Sequence, residues 1–393
     1  MKSTGLALRL VLGLAALAAA VSCAPREDPP AAASSDPLQA GWRFACAITN
    51  DPDDRAECQE KIALAYVARG EVEPALLLAE RVENWRKGVV LAEAAASLAA
   101  SGRTKAALER AEAAEAIGRG IQDWQRDRIL ARVAKARAML GNTAEVGRQS
   151  AFYRSNQEYR GELAAYHALA LARGGDASNA LAVLDGLAEE KQLDVAGWRA
   201  NGYLLLAKDG RLDAQQTSNA FEQAWAASQW VPGNKRFDMQ MKLMDEAVSR
   251  GAAAQAAPWL ENVCSNALGS VAPAHIKAPI VAQLAIRCGA MGQAARLAEC
   301  ERAAEPLIRE LQNIEQPALI AWLGEARARL GDSQTSLTHY EQALALAERL
   351  SNPRPRALAC VEISLSLERA RLRHGPVSEG LNRLLTGFST PHG

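Results

Sequence analysis

Residues 317–350 read PALIAWLGEARARLGDSQTSLTHYEQALALAERL. Apolar and small residues recur every three or four positions on both sides of Gly331-Asp332, which predicts one helix ending at the glycine and a second starting just beyond it. Glycine supplies the left-handed conformation that closes the first helix. Ser336, five residues past the glycine, is small enough to let the two helices approach closely. The stretch therefore reads as a helical hairpin. A single hairpin cannot bury its apolar faces alone, so it needs neighbours of the same kind.

The neighbours are found by aligning glycines. Gly70, Gly102, Gly141, Gly175, Gly210, Gly251, Gly289, Gly331 and Gly375 follow one another at spacings of 32, 39, 34, 35, 41, 38, 42 and 44 residues. Small or apolar residues stand five and six positions beyond several of them, as in Ala75-Leu76, Ala107-Leu108, Ala180-Leu181, Ala294-Ala295 and Gly380-Leu381. One supersecondary unit is reused about nine times over residues 41–389. Composition agrees: 49% of the 393 residues are hydrophobic and only 5% aromatic, as expected of helices packed through small side chains. The 45 basic and 45 acidic residues balance, which removes any global field for nucleic acid.

The hairpin at 317–350 resembles a tetratricopeptide repeat, with Leu323-Gly324 in the first helix, Gly331-Asp332 at the turn, and Ser336, Tyr340 and Ala343 at the small, aromatic and small positions. The units at Gly70, Gly102 and Gly175 keep the turn glycine and the following Ala but carry small residues in place of the aromatic, and the spacings of 38 to 44 exceed the family's 34 residues. Longer helices or loops such as Gln229–Asn234 account for the excess. The resemblance implies an all-α fold, an α-solenoid winding as a right-handed superhelix. It also implies a concave groove lined by the first helix of each unit. Trp85 and Trp124 each precede a turn glycine by seventeen residues, at the start of a new helix, and read as wedges between units.

Residues 1–22 carry Lys2 and Arg9 and then a run of apolar or small residues from Leu10 to Val21, the length of a secretory signal and too short to cross a bilayer. Ala20-Val21-Ser22-Cys23 resembles the lipobox of bacterial lipoproteins, which implies lipidation at Cys23. A cleaved, soluble periplasmic product is the alternative. Ala24 stands where enteric lipoproteins kept at the inner membrane carry Asp, so the expected address is the outer membrane facing the periplasm. Residues 23–40, rich in Pro and small residues, read as a flexible tether.

Catalytic motifs are absent: there is no HExxH, no nucleophile elbow, no dinucleotide or phosphate loop, and the five histidines are scattered. The expectation is no enzyme, no cofactor and no metal. In an exported chain the six cysteines after Cys23 permit disulfides. Cys46 and Cys58 flank a helix-breaking turn and are a candidate bridge. Among Cys264, Cys288 and Cys300 one pair could bond, or all could be small core residues; with only His275 near and no Cys-x-x-Cys, zinc is the weakest reading.

The resemblance places residues 13, 10, 6 and 3 positions before each turn glycine in the groove. These include Glu57, Glu60, Arg128, Lys135, Glu162, Asp238, Met241, Asp245, Gln283 and Glu325, with Arg132 beside them. Arg128, Arg132 and Lys135 make a basic patch for an acidic peptide or carboxylate, against the alternative of a solvated helix face. Residues 119–160 hold nine basic and four acidic side chains, while 51–84 hold nine acidic and four basic, so the two regions oppose each other in sign. The expected function is a scaffold or adaptor binding a protein or peptide partner and held to the membrane by an N-terminal lipid. The rival is a periplasmic protein that binds or processes cell-wall glycan.

Overall fold

The structure is a computed structural model that describes residues 36–122, 124–152, 157–187, 193–312 and 314–370. All regular structure among these residues is helical. A short helix, α1 (Pro37–Cys46), comes first. Helices α2 (Pro52–Ala68) and α3 (Val72–Ala79), α4 (Arg86–Ala100) and α5 (Thr104–Arg119), and α6 (Trp124–Met139) and α7 (Thr143–Phe152) form three hairpins. Five units follow in which α8 (Gln157–Arg173) pairs with α9 (Ala177–Gly186), α10 (Leu193–Asp209) with α11 (Ala214–Ser228), α12 (Gly233–Ser249) with α13 (Ala253–Gly269), α14 (Ala274–Ala290) with α15 (Ala294–Glu310), and α16 (Gln316–Leu330) with α17 (Ser333–Glu348). The last helix is α18 (Pro353–Ala370). The expected all-α repeat array is what the chain forms.

The hairpin that decided the fold explains its own sequence. Gly331 has φ +90° and ends α16 in the left-handed conformation, and the Asp332 carboxylate accepts from the Thr335 N–H at 3.2 Å to cap α17. Ser336 is fully buried and donates to the Gly324 carbonyl at 2.8 Å. A Cβ at Gly324 would come within 3.2 Å of Tyr340, so the glycine, the serine and the tyrosine are one contact between two helices. Ala75, Ala107 and Ala180 fill the same place in other units and are likewise fully buried.

Seven of the nine aligned glycines, from Gly70 through Gly251 and at Gly331, take positive φ. Gly289 does not: it lies inside α14, and the turn falls at Gly292, φ +69°. Gly289 is required for a different reason, since a Cβ there would sit 2.1 Å from the Ala326 carbonyl oxygen of α16. Gly375 lies outside the described residues. The long spacings around 210–331 come from helices α12 to α15, each of 17 residues.

Each even-numbered helix packs on the next even-numbered one, whereas odd-numbered helices make no substantial contact with one another. The even helices therefore occupy the shorter, inner circumference and the odd ones the outer. The row does not stop at its ends. Helix α18 packs along α1 and touches α2. Arg69, at the end of α2, binds Asp36 before α1 at 3.1 Å and Glu368 near the end of α18 at 3.3 Å. At the other end, Arg354 of α18 binds Asp51 at 3.0 Å and Asp54 at 2.5 Å, both at the start of α2. Helix α18 thus runs parallel to α2, as successive inner helices do, and α1 runs antiparallel to both.

Helix α1 stands where an outer partner of α18 belongs. The ninth hairpin is built from the two ends of the described chain, and the array closes into a ring. An open superhelix has free ends at this point; here Leu38 and Ala45 of α1 are fully buried in a core shared with Ala357, Val361 and Leu365. Residues 37–40, expected within the tether, belong instead to α1, which the Asp36 carboxylate caps through the Leu38 N–H at 3.1 Å with Pro37 in the first turn; residues 23–35 lie outside the described residues. The expected signal, residues 1–22, and Cys23 lie outside the described residues. No described helix is long and apolar enough to cross a membrane.

Arg69 is partly buried at the seam and binds both Asp36 and Glu368, so Arg69→Ala should lower stability by about 1–3 kcal/mol. Chemical denaturation should read that loss. Amide exchange should show α1 and α18 opening first, with α8 and α10 protected as before.

Candidate functional site

No inner helix makes substantial contact with one across the ring, so among the described residues the inner face borders open space. Its polar groups form a ladder between successive helices. On α4 the only charged residue between Lys87 and Ala100 is Glu93, set among Val, Leu and Ala. Lys135 of α6 donates to it at 2.6 Å, and Arg132 stands 3.4 Å away. Arg132 also donates to the Tyr166 hydroxyl of α8 at 3.2 Å, and that hydroxyl donates to Glu162 at 3.0 Å. Glu162 and Arg132 are 4.0 Å apart.

Two acids in one network are pushed in opposite directions. Burial works to raise the Glu93 pKa, but Lys135 and Arg132 outweigh it and hold the group below its ordinary value. At Glu162 burial prevails over Arg132 and the Tyr166 hydrogen bond, and the pKa rises.

A second cluster lies at the start of α4 and α6. Arg86 donates to Glu57 at 3.0 Å and to Glu60 at 2.7 Å. Arg128 reaches past the Ala-rich α4 to Glu60 on α2 at 2.9 Å. Both guanidinium groups lie over the ring of Trp85, at 4.9 and 5.1 Å from its centroid, and Trp124 meets Trp85 edge-on at 5.2 Å. The two tryptophans do join neighbouring units, yet Trp124 remains 49% exposed.

Arg128, Arg132 and Lys135 are therefore brought together, but as members of a neutralised ladder rather than a bare basic patch. Glu93 was missed because it stands nine residues before Gly102, outside the counted positions; Lys61 and Arg132 occupy the same register before their own glycines. Lys61 crosses the seam to Glu362 at 3.1 Å. The other expected groove residues divide. Asp238 is exposed, and Asp245 binds Arg287 of α14 at 2.6 Å. Gln283 is half-buried, and its backbone carbonyl accepts from Arg287 at 3.0 Å. Met241 is 2% exposed and belongs to the apolar core, because ten residues before the turn is an interhelical position, occupied by Ala in most units. Glu325 is fully buried and accepts from Arg329 at 3.0 Å, Arg369 at 2.9 Å and Ser366 at 3.2 Å.

Cys46 and Cys58 are not joined to each other. Cys46 closes α1 and accepts a long contact from Gln59 at 3.6 Å, while Cys58 is buried in α2. Towards the starts of α14, α16 and α18 an apolar recess of about 240 Å³ opens between successive inner helices, bordered by Pro279, Leu311, Ile314, Leu319 and Leu358. Its walls come from three units, so no local pattern of residues marks it.

No family model matches the chain, and no curated protein matches it. Solved structures that resemble it in part include two of low identity. One is described as a circular tandem repeat protein with novel repeat topology and enhanced subunit contact surfaces, at 14% identity over 90% of this chain and 81% of that one, with a TM-score of 0.22. The other is Ton1535 from Thermococcus onnurineus NA1, at 12% identity over 81% of this chain and 94% of that one, also with a TM-score of 0.22. Overlays of that quality carry no argument, and the ring rests on the helix contacts above.

The opposed acids give a prediction of opposite signs. Glu93→Gln removes the charge that holds Lys135 and one of the partners of Arg132 and should cost about 1–3 kcal/mol at neutral pH, while Glu162→Gln removes a penalised charge and should leave stability unchanged or raised. Because the folded pKa of Glu93 lies below its ordinary 4.5, its contribution is complete above that value and is lost as pH falls through the folded pKa. Urea titrations across the acid range should show the gap between wild type and Glu93→Gln closing only below about pH 4.5.

Proposed function

We propose that this chain is a non-enzymatic, tetratricopeptide-like scaffold that docks a protein or peptide partner at the starts of its inner helices. The observation that carries the reading is the cluster of Trp85, Trp124, Arg86 and Arg128 over Glu57 and Glu60. Tryptophan and arginine dominate the energy of protein interfaces, and here they are held in place by cation–π contacts and the buried Glu60 before any partner arrives. The apolar recess among α14, α16 and α18 offers a place for an aliphatic anchor. The ladder beyond them is charged but internally neutral, so it favours partners with mixed charge over acidic segments alone.

The envelope address belongs to the same proposal. Signal and lipobox put Cys23 at the acylated N-terminus, with residues 24–35 between the lipid and the ring. A second reading, binding of cell-wall glycan, is favoured by one observation: Trp124 is a half-exposed aromatic beside polar groups. No catalytic step is assigned in either reading.

Cross-linking in cells, followed by recovery of the protein, tests the proposal. Trp124→Ala combined with Arg128→Glu should lower recovery of the cross-linked partner about tenfold, equivalent to about 1.4 kcal/mol. Trp230→Ala, in the loop between α11 and α12, should leave it unchanged. Sedimentation with purified cell wall that is lost in Trp124→Ala, without any protein cross-link, would replace the scaffold by the glycan reading.

A further inference from the structure

Three cysteines far apart in sequence meet at one point in the core. Cys264 comes from outer helix α13, Cys288 from inner helix α14 and Cys300 from outer helix α15. All three are fully buried, and their sulfurs lie within 4.8 Å of one another. The sixth and seventh units thus converge on a triangle of thiols. Buried cysteines commonly serve as small core residues, but core packing alone gives no reason for three helices to present sulfur to the same spot.

We propose that Cys264, Cys288 and Cys300 form a three-sulfur site for a soft, thiophilic cation, with cuprous ion as its best match. The triangle is close to the required size: with metal–sulfur bonds of about 2.3 Å, three sulfurs around one ion stand about 4 Å apart. A contraction of less than 1 Å at the longest edge closes it.

The ligand set selects the ion. Thiolates favour cuprous ion, zinc and other soft metals over hard cations. Zinc takes four ligands in structural sites, or three and a water in catalytic ones. No histidine or carboxylate joins this cluster among the described residues, and full burial shields the three sulfurs from bulk water. His275 lies thirteen residues before Cys288 on the same helix, about 20 Å along its axis. Cuprous ion accepts three sulfurs without a fourth ligand. It enters as the thiols release protons to solvent, so affinity rises with pH. Once bound, it ties α13, α14 and α15 together and stabilises the folded ring by mass action.

The test uses the reduced full chain under anaerobic conditions, with cuprous ion supplied as its acetonitrile complex and bicinchoninate as competitor. One equivalent should be retained, and X-ray absorption at the copper edge should show three sulfur neighbours at about 2.3 Å. Cys288→Ala should weaken retention at least tenfold, and Cys360→Ala, elsewhere in the core, should not. Because a core variant can misfold, wild-type Tm is measured as well and should rise with one equivalent of the ion. Equal retention by a variant lacking all three thiols, an unchanged wild-type Tm, or tighter binding of zinc than copper would overturn the proposal. So would protein isolated from cells with two of the three sulfurs already joined as a disulfide.

Discussion

The whole architecture depends on the packing of α1 against α18. Eight hairpins in sequence form an open row, and an open row exposes the apolar flank of its first and last units. Here the last inner helix borrows its outer partner from the start of the described chain. Leu38 and Ala45 seal the seam from inside, and Arg69 and Arg354 pin its two edges through acids on both termini. Helix α1 has ten residues, as α7 and α9 do, so the seam is built like other hairpins of the row, with the ion pairs added at its two edges.

Closure also changes what the inner face is. In an open superhelix the groove can widen and narrow, and charged side chains along it remain available to a ligand. In a ring the inner helices hold fixed neighbours, and the charges they carry pair across the gaps. Glu60, Glu93 and Glu325 are all largely buried acids, each held by two cations. Buried pairs of this kind contribute modestly to net stability, but breaking one leaves a costly charge, which favours one register of the helices over its alternatives. In the scaffold proposed here, recognition falls to groups the ladder does not use fully: the exposed flank of Trp124 and the recess beside Ile314.

The sequence made the repeat legible because its signal is local. A glycine that must take positive φ, a small residue five positions on and an apolar period of three to four identify each hairpin without knowledge of its neighbours. The error at Gly289 has a physical origin: that glycine is demanded by close contact with Ala326, not by a turn, and composition does not separate the two uses. What escaped was set by distant residues. The seam joins positions about 300 apart, as in Lys61 and Glu362, and the thiol triangle joins three helices that no spacing rule links. The pairing of the basic patch was hidden for the same reason, since Glu60, Glu93 and Glu162 sit on other units, and Glu93 stands at an uncounted register.

The seam can be interrogated by zero-length carbodiimide cross-linking of the monomer, which joins an amine only to a carboxylate in contact with it. A closed ring yields the peptide pair linking Lys61 to Glu362 within one chain, alongside the local link from Lys87 to Glu80, whose groups lie 2.7 Å apart. Recovery of the local link without the long-range one would mean that the ends of the array do not meet.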